Sequence, residues 1–90
     1  MGDKFRKKPV VIHAYEYQGG DLWDVFKDIP SWLKDGLEWG QISSNEKGVI
    51  IKNEDSYLSV PAGDFIIQGT QREYYNCSPD IFWEIYEEVL

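Results

Sequence analysis

The stretch GVIIKNEDSYLSVPAGDFIIQGTQREYYNC, residues 48–77, decides the fold. Its apolar runs are short and rich in β-branched and aromatic residues: Val49-Ile50-Ile51, Tyr57 to Val60, Phe65-Ile66-Ile67 and Tyr74-Tyr75. Between them stand Asn53-Glu54-Asp55-Ser56, Pro61-Ala62-Gly63 and Gly69-Thr70-Gln71, residues that turn a chain. Runs this short with turns this tight read as four strands, over 48–52, 57–60, 64–68 and 72–77, in an antiparallel meander.

Upstream, residues 9–17 read as a further strand. Val10, Ile12, Ala14 and Glu16 fall on one face, and Val11, His13, Tyr15 and Tyr17 on the other. Both faces are partly apolar, which predicts a central strand. Gln18-Gly19-Gly20 breaks it, and Asp21 suits a helix N-cap because its carboxylate accepts from the free amides of a first turn. Leu22, Val25, Phe26 and Ile29 then mark one apolar helical face, which Pro30 ends. A second short helix spans 31–39, with Trp32, Leu33 and Leu37 inward, Gly36 weakening it and Gly40 stopping it.

Downstream, Ser78-Pro79-Asp80 starts a C-terminal helix: a cap, a proline at the first helical position and an acid at the positive end of the dipole. Ile81, Phe82, Ile85, Tyr86 and Val89 share its apolar face. The order β-α-α-β-β-β-β-α, with about five strands in a mostly antiparallel sheet, defines an α+β fold.

The 90 residues fit one domain, 1–90, with residues 1–8 as a basic arm. Hydrophobic residues at 42% and aromatics at 16% exclude disorder for the body of the chain. Cys77 is the sole cysteine, so no intrachain disulfide forms, and a reducing compartment fits. No apolar run approaches the length of a signal peptide or membrane span, so the expected location is a bacterial cytoplasm. The net charge of -7 is uneven. Lys4, Arg6, Lys7 and Lys8 gather at one end, and Asp80, Glu84, Glu87 and Glu88 at the other. An acidic body opposes phosphate contacts over most of its surface, which excludes generic nucleic-acid binding and permits a partner with a basic face.

Two segments resemble a family of small bacteriophage and prophage proteins. The first is Phe5-Arg6-Lys7-Lys8-Pro9-Val10-Val11-Ile12. The second is Gly63-Asp64-Phe65-Ile66-Ile67-Gln68-Gly69, followed by Glu73 to Phe82 and by Tyr86-Glu87; Trp32-Leu33 and their helix are similar too. The sequence departs from that family's pattern at three positions. His13 stands where an acid is usual, Arg72 where glycine is common, and Asn76 where proline is common. The resemblance implies a phage context and supplies no reaction and no catalytic residues.

The residues offer little catalytic chemistry. His13, the only histidine, lacks the partners that a triad or a histidine metal site needs, and reads as a sheet residue packed by its ring. Cys77 precedes a helix N-terminus, which favours a thiolate, but no base accompanies it, so it reads as a small buried residue. Glu16, Asp21, Asp24 and Asp28 are spaced as a solvated edge, and Glu54-Asp55 as a hairpin tip. Gly19-Gly20 before a helix suits a phosphate poorly, because Asp21 and Asp24 occupy the anion's place. No cofactor or metal is expected.

Binding is the better prospect. Arg6, Lys7 and Lys8 at the start of the first strand, with Arg72 and Tyr74 on the last, combine cations and an aromatic in one anion- or base-binding face if those strands approach. Trp39 and Trp83 are the aromatics least explained by the core faces, and exposed tryptophan marks interfaces. These features lead to a non-enzymatic phage or prophage protein that sequesters or blocks a host component serving antiviral defence. An oligomeric sponge for a nucleotide signal and a virion-accessory module are the alternatives. The expected partner is a host protein or a small anionic ligand, with a homo-oligomer as the way to build a deeper pocket.

Overall fold

The computed structural model describes residues 2–4 and 9–89. They form β1 (His13–Glu16), a 3₁₀ segment (Leu22–Asp28), α1 (Ser31–Glu38), β2 (Ile42–Asn45), β3 (Gly48–Lys52), β4 (Tyr57–Val60), β5 (Phe65–Gln68), β6 (Tyr74–Cys77) and α2 (Pro79–Ile85). The class is α+β with antiparallel pairing, as read. The sheet is not the single one of five strands: six strands divide into two sheets, ordered β1-β5-β6 and β2-β3-β4.

The division falls at Pro61-Ala62-Gly63. The reading of the meander makes this a turn between neighbours, but it is a crossover between sheets. The Gly63 amide donates to the Tyr17 carbonyl at 2.8 Å, and the Tyr17 amide donates to the Asp64 carbonyl at 2.9 Å. Those two bonds bring β5 onto β1 in the register Glu16↔Phe65 to His13↔Gln68. On its other side β5 pairs with β6, from Phe65↔Cys77 to Gln68↔Tyr74. β5 is therefore the central strand, and β1 is an edge rather than the central strand expected.

β1 itself spans only His13–Glu16 of the expected 9–17 and is exposed at His13, Ala14 and Glu16. Both faces of the β1-β5-β6 sheet are covered, mainly through β5 and β6. One face contributes Tyr17, Ile66 and Tyr74 to a core completed by Leu22, Ile29, Leu33 and Leu37, by Ile42, Val49 and Ile51, and by Val60. The other face, with Phe65 and Ile67, packs on Phe82 of α2, flanked by Ile12, Tyr75, Cys77 and Tyr86. The Phe65 and Phe82 rings stack at 3.8 Å between centroids.

Three helix expectations are corrected. The segment after Asp21 is 3₁₀ turns on either side of a kink at Val25, not an α-helix, so Val25 leaves the apolar face and is 41% exposed. Asp21 does cap it, accepting from the Trp23 amide at 3.1 Å. Ser78 occupies the N-cap of α2, but its side chain makes no cap hydrogen bond. Only Phe82 and Tyr86 of the expected α2 face pack inward; Ile81 and Ile85 within the helix, and Val89 beyond its end, stay exposed.

Gly36 is where α1 meets the sheets. A Cβ there would lie 2.8 Å from Ile42 Cδ1 and 2.9 Å from Tyr74 Cζ. The glycine that costs α1 propensity is what lets the Tyr74 ring approach the helix backbone. Gly36→Ala is expected to lose up to about 2 kcal/mol in urea denaturation, the overpacking cost of about 1–3 kcal/mol being offset by roughly 1 kcal/mol of helix propensity gained.

Candidate functional site

The hairpin joining β5 to β6 sets the first residue of the site. The Arg72 amide donates to the Gly69 carbonyl at 3.1 Å, closing a turn, and the Gly69 amide donates to the Glu73 carbonyl at 2.9 Å. The geometry places Arg72 at φ 63, the only non-glycine residue with positive φ among those described. Hairpins of this kind ordinarily place glycine there. A side chain in that conformation costs about 1–3 kcal/mol. Arg72→Gly should therefore raise stability by about 0.5–1 kcal/mol in thermal or urea denaturation, after the entropy glycine adds to the unfolded chain.

Across from this turn lies α1. Trp39 is its C-cap residue, and Gly40 follows with φ 82. Ending the helix there swings the indole into solvent, 81% exposed. Between the two elements opens a cleft of about 520 Å³, lined by Ser31, Trp32, Asp35 and Trp39 of α1 and its cap, by Gln41, and by Gln68, Arg72 and Tyr74 of the hairpin.

Tyr74 forms the wall. Its ring is buried and its hydroxyl donates to the Trp32 carbonyl at 2.8 Å. Gln68 Nε2 donates to the same hydroxyl at 3.3 Å. Burial pushes the Tyr74 pKa up, and the Asp35 carboxylate adds to this, against the hydrogen bond from Gln68 and the charge of Arg72. The phenol thus stays protonated and keeps its donor bond. Trp32 lies between rings, near-parallel to Tyr74 at 6.4 Å and to His13 at 5.7 Å.

Arg72 and Tyr74 of the expected binding face line one cleft, joined there by Trp39, which the sequence offers separately as an exposed aromatic. The rest of that expectation differs. Arg6, Lys7 and Lys8 lie outside the described residues. β1 and β6 flank β5 on opposite sides, so the strand on which those cations were placed does not adjoin the last one. Tyr74 offers no free ring face to solvent. Sequence reasoning missed Ser31, Trp32, Asp35, Gln41 and Gln68. The register Gln68↔Tyr74 and the side-by-side placement of α1 hold the signal, and neither is local in the chain.

The remaining candidates find structural roles. His13 opposes Gln68 at one end of β5, and Cys77 opposes Phe65 at the other. Three residues along β5 and two inter-strand spacings across it separate them by roughly 14 Å, too far for a thiol–imidazole pair. Burial, and secondarily the Asp64 carboxylate, push the Cys77 thiol up, opposite to the thiolate stabilisation expected from α2. The amides after Gly19-Gly20 are already used: Ser44 Oγ accepts from Leu22 at 2.7 Å, and Asp21 accepts from both Trp23 and the Ser44 hydroxyl. Asn76 donates to Asp64 Oδ2 at 2.9 Å. No three histidine, cysteine or acidic residues cluster as metal ligands among the described residues, and no described helix is long and apolar enough to cross a membrane.

A second concavity, of about 340 Å³, lies on the opposite face of the β1-β5-β6 sheet, between residues 10–14 and α2. Its lining is mostly apolar, including Phe65, Phe82 and Trp83, with Glu87 and Glu88 as its charged members. Trp83 is 57% exposed, yet it meets Phe65 and Phe82 edge-on at 5.6 and 5.0 Å. In comparisons with protein-family models, curated proteins and solved structures, nothing matches this chain.

Proposed function

We propose that this chain is a non-catalytic binding protein of phage or prophage type that sequesters a host component in the cleft between α1 and the β5–β6 hairpin. The observation that carries the reading is Arg72 at φ 63 on the lip of that cleft. Glycine would fit the turn without strain, and strain kept at a concave surface is a mark of function. The resemblance to phage proteins supports the same point, since glycine is the common residue at that position and an acid is common at His13. Both departures add cationic or neutral character beside Trp32. The separation of His13 from Cys77 supports capture over covalent chemistry.

Native mass spectrometry of protein purified gently from a bacterial host tests this. The expected result is a component bound in fixed ratio, released chemically unaltered, and lost from a Trp39→Ala/Arg72→Gly double variant. Retention of the component by that variant sinks the cleft as its site. Release of a chemically converted component sinks the non-catalytic reading.

A further inference from the structure

Resting on that reading of the cleft, we propose that its ligand is a nucleoside monophosphate, with the base stacked on Trp39, its edge read by Gln41 and Gln68, and its phosphate held by Arg72. Trp39 is the stacking plate because it is the exposed indole of the cleft, whereas Trp32 is already packed among His13 and Tyr74. Stacking on such a plate accepts any base.

The two glutamines give the site its polar edge. A primary amide presents a donor and an acceptor side by side, the pattern that pairs with a base edge. Gln68 commits one N–H to the Tyr74 hydroxyl, which fixes the amide's orientation, and retains a second N–H and its carbonyl oxygen. Ser31 and Asp35 supply acceptors for ribose hydroxyls or base N–H groups.

Charge selects the phosphate. Arg72 is the one cation and Asp35 the one anion among the described residues of the lining. A guanidinium forks onto one phosphate group. A triphosphate brings further negative charge into a cleft with no second described cation and with a carboxylate inside it, on a chain of net charge -7. The volume of about 520 Å³ falls in the range of small-ligand sites.

Isothermal titration of the purified protein with adenosine, adenosine 5′-monophosphate, adenosine triphosphate, the other three ribonucleoside monophosphates and inorganic phosphate tests the assignment. At least one monophosphate should bind one per chain, more tightly than its nucleoside, than inorganic phosphate and than the triphosphate. Arg72→Gly should weaken it about 10- to 100-fold and Trp39→Ala about tenfold or more, with unfolding of both variants checked by thermal denaturation. A triphosphate that binds tighter than the monophosphate overturns the charge argument, and unchanged affinity in Arg72→Gly overturns the pose. If no monophosphate binds at millimolar concentration, while the host component still depends on Trp39 and Arg72, the ligand assignment falls and sequestration stands.

Discussion

Tyr74→Ala should cost about 3–5 kcal/mol, a large part of the roughly 5–15 kcal/mol that holds a domain together. The ring fills space that Gly36 leaves open on α1, lies against Trp32, and belongs to the core that joins the two sheets. Its loss leaves a cavity among side chains drawn from both sheets and α1, and strips the Trp32 carbonyl of its donor. Tyr74→Phe separates the two contributions. It keeps the ring and removes the hydroxyl, so it should lose only about 1 kcal/mol. Urea denaturation of the pair checks this. Equal losses would mean that the hydroxyl, not the ring, couples α1 to the hairpin.

Phe82→Ala should cost a similar 3–5 kcal/mol by a different route. Phe82 is the buried residue of α2, stacked on Phe65 and in contact with Trp83 and Tyr86. No other side chain of the helix is buried, so truncation should release α2 from the sheet. The cluster it anchors lies on the face of the β1-β5-β6 sheet opposite the main core. Hydrogen exchange should therefore speed up across 79–86 more than across β3 and β4. The cleft should persist, because none of its lining residues belongs to the Phe82 cluster. Uniformly faster exchange over the whole chain would show that the two clusters unfold as one. Trp39→Ala provides the contrast, with stability unchanged within about 0.5 kcal/mol, because its indole is mostly in solvent.

The parts of this fold that were legible in the sequence are those governed by neighbours in the chain. The strands at 48–52 and 57–60 follow from apolar runs around an Asn53-Glu54-Asp55-Ser56 turn. β2 was missed because Ile42 is its only buried side chain, and Ser43, Ser44 and Asn45 carry no apolar period. The split into two sheets was missed because a turn-forming triplet does not say whether the strands it joins will pair. Here the Tyr17 backbone takes β5 from β4 and gives it to β1. The 3₁₀ geometry of 22–28 was missed because Leu22, Phe26 and Ile29 suit either helix over so short a span.

The cleft follows the same division. Trp39 was visible as an aromatic without a place in the core, and Arg72 as a cation at a turn. Asp35, Gln41 and Gln68 were not, since polar residues on a helix, a loop and a strand end gain meaning only once tertiary packing sets them around one space. Arg72 carried a hint in its turn sequence, where glycine is the unstrained choice.

The four indole N–H resonances give the most direct measurement, since each tryptophan reports a different part of the molecule. Trp39 and Trp32 border the cleft, Trp83 borders the apolar groove, and Trp23 stacks on Phe26 of the 3₁₀ segment. Proton–nitrogen spectra recorded while adding adenosine 5′-monophosphate should move the Trp39 and Trp32 indoles and the Arg72 amide, leaving Trp23 and Trp83 in place. Shifts centred on Trp83, or a spectrum unchanged at every tryptophan with this and the other ribonucleoside monophosphates, would contradict capture of a nucleotide in the cleft.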